Sequence, residues 1–138
     1  MPLGIEYGGT GATDAATALE KLGGTSIELL WENASPSSAM SAQTITMDCS
    51  NFAFFIVGAA VYNGIPDSPR WFIVRKNYTT QLNCGYAYIY RARNVKITDT
   101  HIEIFDGLIG NYNSGTGEST DNTSGIITSI YGIKGVFA

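Results

Sequence analysis

From Ser26 onward apolar residues recur at every second position in short runs, and that period commits most of the chain to β-strands. Ile27, Leu29 and Trp31 face one way and Glu28 and Glu32 the other, with Leu30 interrupting the alternation. Ile45, Met47 and Cys49 lie opposite Thr44, Thr46 and Asp48, a second half-exposed strand. The run from Phe52 to Tyr62 is apolar in both registers, which predicts a central strand covered on both faces. Trp71 to Val74, Tyr86 to Arg91, the pairs Val95/Ile97 and Ile102/Ile104 around an Asp99-Thr100 turn, and Ile126 to Phe137 complete the set. Turn residues separate these runs, among them Asn33 to Ser41, Asn63 to Pro69 and Asn77 to Gly85. About eight short strands so spaced predict an all-β, antiparallel β-sandwich or jelly-roll-like head over residues 25–138.

The first 24 residues differ. Gly8, Gly9 and Gly11 leave the chain too flexible for a regular element, whereas Thr13 can cap a helix and Asp14 suits its positive first turn. Ala15, Ala18, Leu19 and Leu22 then fall on one helical stripe, and Gly23 supplies a left-handed stop, so 14–22 reads as a short helix. Helices below about 12 residues are marginal alone in water, so this one must pack on its own domain or on copies of itself.

Only 14% of the 138 residues are charged, against about 25% in an average soluble chain, and uncharged polar residues fill the gap: 14 Thr, 11 Ser and 9 Asn. The net charge of −4 and the lack of a basic run argue against a nucleic-acid partner. The longest apolar run is about half the roughly 20 residues of a membrane-spanning helix, so membrane insertion is not expected. The amino end lacks the shape of a secretory signal. Cys49 and Cys84 have no metal-ligand spacing; Cys49 is expected on the buried face of its strand as a small hydrophobe, with a Cys49 to Cys84 bond as the alternative. No metal or other cofactor is expected.

Catalytic motifs are sparse. Asp99, His101 and Glu103 would share one strand face, a spacing compatible with a metal or acid–base cluster, and also with the polar side of an amphipathic strand whose Ile102 and Ile104 face the core. The second reading is preferred, and the chain is expected not to be an enzyme. Binding chemistry is better supplied. Tyr86, Tyr88 and Tyr90 alternate on one strand face beside Arg91, and Tyr112 is the one large aromatic in the Gly- and Ser-rich stretch from Gly107 to Ser124. Tyrosine joins a flat apolar ring to a hydroxyl and suits sugars or a protein receptor; the alternative is that these rings line a core or an interface. The Gly107–Ser124 stretch exceeds the roughly 12 to 15 residues beyond which loops are usually functional or mobile. Trp31 and Trp71 are expected in the core. Arg70, Arg75, Arg91 and Arg93 hold half of the basic charge and either meet an anionic polymer or pair with nearby acids.

The order Gly8-Gly9-Thr10-Gly11-Ala12-Thr13, Ala15-Ala16, Ala18-Leu19 and Leu22-Gly23 resembles the GGTGAT segment, Ala-rich helix and closing Leu-Gly of bacteriophage tail fibres. The head is also similar in style to tip domains of phages and prophages of Gram-positive bacteria, in its TSIELLWENASPSS opening and IYGIKG ending. The resemblance implies a homotrimer whose neck, residues 1–24, associates through Gly8, Gly9, Gly11, Ala15, Leu19 and Leu22. It implies a head that binds a bacterial surface polysaccharide or a teichoic-acid-like polymer. It places the protein in a virion tail fibre, assembled in the host cytoplasm and acting outside the target cell. Tyr86, Tyr88, Tyr90, Arg91 and Tyr112 are the candidate receptor contacts. The fibre of a tail-like bacteriocin, a structural spacer and a surface depolymerase are the alternatives. The neck's own composition favours association, because its few large apolar groups cannot form a core alone.

Overall fold

A computed structural model describes residues 26–85, 89–111 and 116–134. The expected helix 14–22 and the neck residues Gly8, Gly9, Gly11, Ala15, Leu19 and Leu22 lie outside that range, as do Tyr86, Tyr88 and Tyr112. Among the described residues there are nine strands and no helix: β1 (Ser26–Glu32), β2 (Gln43–Thr46), β3 (Phe54–Tyr62), β4 (Arg70–Arg75), β5 (Thr80–Asn83), β6 (Ile89–Ile97), β7 (His101–Asn111), β8 (Thr116–Thr120) and β9 (Ser124–Lys134). Every pairing is antiparallel.

Two sheets form. The first has the order β1-β9-β3-β4; the second runs β2-β7-β6-β5, with β8 also on β7. β2 takes the first part of the free edge of β7, opposite His101 to Ile104, and β8 takes the last, opposite Leu108 to Asn111. Phe55, Val57, Val74 and Ile130 of the first sheet and Leu82, Val95, Ile97, Ile102 and Ile104 of the second bury their side chains in one core, a sandwich-like arrangement. Burying a side chain of this size stabilises by about 1.5 to 3 kcal/mol, which is why strands with one apolar face stack in this way.

Several expectations change. Leu30 interrupts the alternation because β1 carries a bulge there: Leu29 pairs with Tyr131 and Trp31 with Ile130. The extra residue turns Trp31 inward with Leu30, while Ile27 and Leu29 face solvent. Cys49 is buried, but beyond the end of β2 rather than on it; the turn that follows is held by Asp48, which accepts hydrogen bonds from the Ser50 amide and hydroxyl. Both thiols are free, so Cys49 and Cys84 are not bonded. Tyr90 and Val95 belong to one strand, β6, continuous across an irregularity between Arg93 and Val95. The polar Asn77–Gly85 connection contains β5. The expected long loop from Gly107 is largely a hairpin, with β7 continuing to Asn111 and β8 returning beside it.

Trp71 is not in the core. It is 54% exposed on the outer face of the first sheet, lying over Gly58, where an added Cβ would come within 2.7 Å of its ring. β3 is central and is covered on both faces from Val57 to Val61, all buried, with Trp71 lying over Gly58; in its first half only the inner face is covered, Phe55 being buried while Phe54 and Ile56 are half-exposed.

Candidate functional site

The strand registers give the molecule two ends. Ser26 pairs with Lys134 at one end of the first sheet, and Tyr62 pairs with Ser124 at the other. β6 starts at the Tyr62 end, because Arg91 reaches both Tyr62 and Ser124, and runs toward the Ser26 end, where the β6–β7 turn meets Lys76. The strand ends from which 86–88 and 112–115 continue are neighbours, since Ile89 pairs with Asn111. Topology therefore gathers at the Tyr62 end Arg91, the 63–69 turn, Gly85 and the starts of both stretches that hold the expected tyrosines.

The chemistry there is anchored from below. Arg93, on β6, is fully buried and its guanidinium is spent on backbone carbonyls. Nε donates to Gly125 O at 2.7 Å, one terminal nitrogen to Phe105 O at 2.7 Å, and the other to Ser124 O at 2.9 Å and Asn122 O at 3.4 Å. Phe105 lies in the β6–β7 irregularity, which takes its carbonyl out of the ladder. Burial pushes the Arg93 pKa down to about 10, against the opposing charges of Asp106 and Asp121. Two glycines make room. At Gly107 a Cβ would meet the Asp121 and Ser124 carbonyls at 2.2 and 2.6 Å, and Gly125 has a φ of 58°, in the left-handed region.

Above this anchor, Arg91 lies 3.6 Å from the Asp121 carboxylate, donates to Ser124 Oγ at 3.0 Å and sits 5.2 Å above the centre of the Tyr62 ring. Burial raises the Asp121 pKa, but hydrogen bonds from Thr123 and Ser124 and the charge of Arg91 outweigh it and hold the carboxyl below its usual range. Arg91 is thus a half-buried rim with a fixed orientation. Tyr90 is half-buried and pairs across the ladder with Gly110. Arg70, at the same end, donates to Gly85 O at 3.2 Å.

The four arginines do not form one patch. Arg93 is interior, Arg91 is paired with an acid, and Arg75 lies at the opposite end, 4.9 Å over the ring of exposed Tyr78, beside an open cleft lined by Ala53, Lys76 and Asn77. Asp99, His101 and Glu103 are separated in role. Asp99 sits in the turn before β7, 2.7 Å from Lys76. The Nδ1 of His101 has the hydroxyls of Thr98 and Thr100 at 3.0 and 3.1 Å. Glu103 sits on β7 between Thr44 and Lys96. Among the described residues no group of three or more His, Cys, Asp or Glu side chains is placed to hold a metal ion.

By sequence, Tyr62 closes an apolar run and reads as core, and Asp121 is, with Glu118, one of the two charges of the Gly107–Ser124 stretch; the pairing of Tyr62 with Ser124 and the β8–β9 turn bring them to Arg91. No protein-family model, curated protein or solved structure matches the chain.

Proposed function

We propose that this chain is the non-enzymatic receptor-binding tip of a homotrimeric phage-type tail fibre, residues 1–24 forming the neck and 25–138 the head. The observation that carries the reading is the two-ended layout. The described chain enters at Ser26, beside Lys134, and the stretches bearing the candidate tyrosines leave from the opposite end next to Arg91. A tip needs this polarity, with attachment to the fibre at one end and contact at the other. The resemblance of the 8–23 segment to fibre necks supplies the biological setting, a virion tail fibre acting outside the target cell. The partner in this reading is a bacterial surface polysaccharide or a teichoic-acid-like wall polymer, and the mechanism is avidity: several weak sites on one fibre outdo a single strong one.

The test is a binding screen of the full chain on surface polysaccharides, isolated wall polymers and whole cells, with release of reducing ends followed in parallel. Binding without release is expected. Binding to nothing in the screen would favour the structural spacer. Release of reducing ends that is lost in Glu103→Ala or Asp99→Ala would make the protein a depolymerase. The fibre of a tail-like bacteriocin would behave as the phage fibre does in this screen.

A further inference from the structure

Charge at the Tyr62 end decides between the two classes of polymer open to the head. The described residues there carry two cations, Arg70 and Arg91, and three anions: Asp67 in the exposed 63–69 turn, Glu118 on β8 opposite the last residues of β7, and Asp121. Two positive against three negative leaves −1; Arg93 adds nothing to the surface, because it is fully buried on backbone carbonyls. Of the two cations, Arg91 already faces Asp121 at 3.6 Å and Arg70 donates to Gly85 O. The stretches 86–88 and 112–115 contain only Tyr, Ala, Asn, Ser and Gly and bring no charge of their own.

Nor do the other cations line up elsewhere. The three described lysines lie at the Ser26 end, each beside an acid: Lys76 with Asp99 at 2.7 Å, Lys134 with Glu28 at 3.3 Å, and Lys96 opposite Glu103 across the β6–β7 ladder. Arg70 and Arg75, the two exposed arginines, stand at opposite ends of β4, about 17 Å apart at 3.3 Å per residue. The charges outside the described residues, Glu6, Asp14, Glu20 and Lys21, sum to −2. A polymer charged at every repeat is held by a row of Lys and Arg that displaces its counterions, and a surface of its own sign repels it over the screening length, about 8 Å in physiological salt. Sugar hydroxyls have no such need. They both donate and accept, and the exposed Asp67, Ser68 and Arg70 set acceptors and donors close together.

We infer that the head takes an uncharged polysaccharide and rejects polyanions of the teichoic-acid type. The inference rests on the receptor-binding reading and names the substrate class for it.

The test passes the full chain over two immobilised sets, uncharged wall polysaccharides and the polyanions poly(glycerol phosphate) and polygalacturonate, at about 0.01 and 0.15 M salt, where the screening length falls from about 30 to 8 Å. Binding to at least one uncharged polysaccharide, changing less than about two-fold between the two salts, is expected, with neither polyanion retaining the protein even at the lower salt. The Asp67→Lys/Glu118→Lys variant, altered at two exposed positions, takes the sum at this end from −1 to +3 and should be retained by poly(glycerol phosphate) at the lower salt and released at the higher. A folded double variant that still passes through would overturn the argument from charge. Retention of the wild-type protein by either polyanion, weakened by salt, with no uncharged polysaccharide bound, would overturn the substrate class and leave the receptor-binding reading standing. Binding to neither set would count against that reading itself, and the inference would fall with it.

Discussion

Arg93 is the residue on which the Tyr62 end of the molecule depends, because its three guanidinium nitrogens hold carbonyls from β7, from the β8–β9 turn and from the first turn of β9. Arg93→Met keeps the length of the side chain but leaves buried carbonyls unpaired, each costing about 1 to 3 kcal/mol, so a loss of roughly 3 kcal/mol or more is expected in urea denaturation. Gly107→Ala should act in the same direction, since its methyl collides with backbone carbonyls rather than with a side chain that can move. Asp121 ties the same turn electrostatically. Its pKa in the folded protein lies below its unfolded value, so its stabilising contribution is present above about pH 4 and is lost as pH falls through the folded pKa. Asp121→Asn should therefore lower stability at neutral pH and flatten the acid limb of a stability–pH curve. The thiols make a separate prediction. Burial pushes Cys84 up to about 11 and Cys49 also upward, so native protein at pH 8 should react slowly with a thiol reagent and titrate two thiols after denaturation. None of Arg93's role was legible in sequence, where it stands as one of four clustered arginines; its partners are main-chain atoms 12 to 32 residues away, and backbone carbonyls leave no trace in residue types.

At the scale of elements, what can be read is whatever alternates or runs apolar. β7 from His101 to Ile104 alternates buried with half-buried residues, and β3 and β9 are legible instead as apolar runs, with five and four consecutive buried residues. The interruption at Leu30 is visible in sequence too: it is the bulge that sends Ile27 and Leu29 to one face and Trp31 to the other. β8 was invisible for a physical reason. It is an edge strand in which Gly117 to Thr120 are all exposed, so none of these four needs to be apolar, and the Gly, Ser and Thr of the segment are those of a loop. The split reading of β6 has a similar origin, since the irregularity after Arg93 breaks the period and a buried arginine masks a core position. The run WFIVR in β4 carries a different signal. An apolar residue in both registers implies two apolar faces, but on Ile73 and Trp71 the second face is open to solvent in the single chain. Hydrogen exchange should follow the same division. Amides of Val57 and Ile130, paired in the middle of the first sheet, should exchange at the rate of global unfolding, and those of Gly117 to Thr120 orders of magnitude faster.

For the whole molecule, the low charge goes with an outer face of the first sheet that exposes Ile27, Leu29, Trp71 and Ile73. The described residues have two ends, Ser26 and Lys134 at one and Tyr62, Arg91 and the 63–69 turn at the other, and the proposed reading puts the neck at the first and the receptor at the second. Whole-cell binding measured after blocking either end addresses this directly. A bulky polymer attached at Ser68→Cys sits in the exposed turn at the Tyr62 end, and one attached at Ser50→Cys sits at the Ser26 end, where Ser50 O accepts a hydrogen bond from Lys76. Both natural cysteines are buried, so the label goes to the new one. Binding abolished by the block at Ser68 and kept with the block at Ser50 is the predicted result; binding lost only with the block at Ser50, or unaffected by either, would contradict the end-on reading.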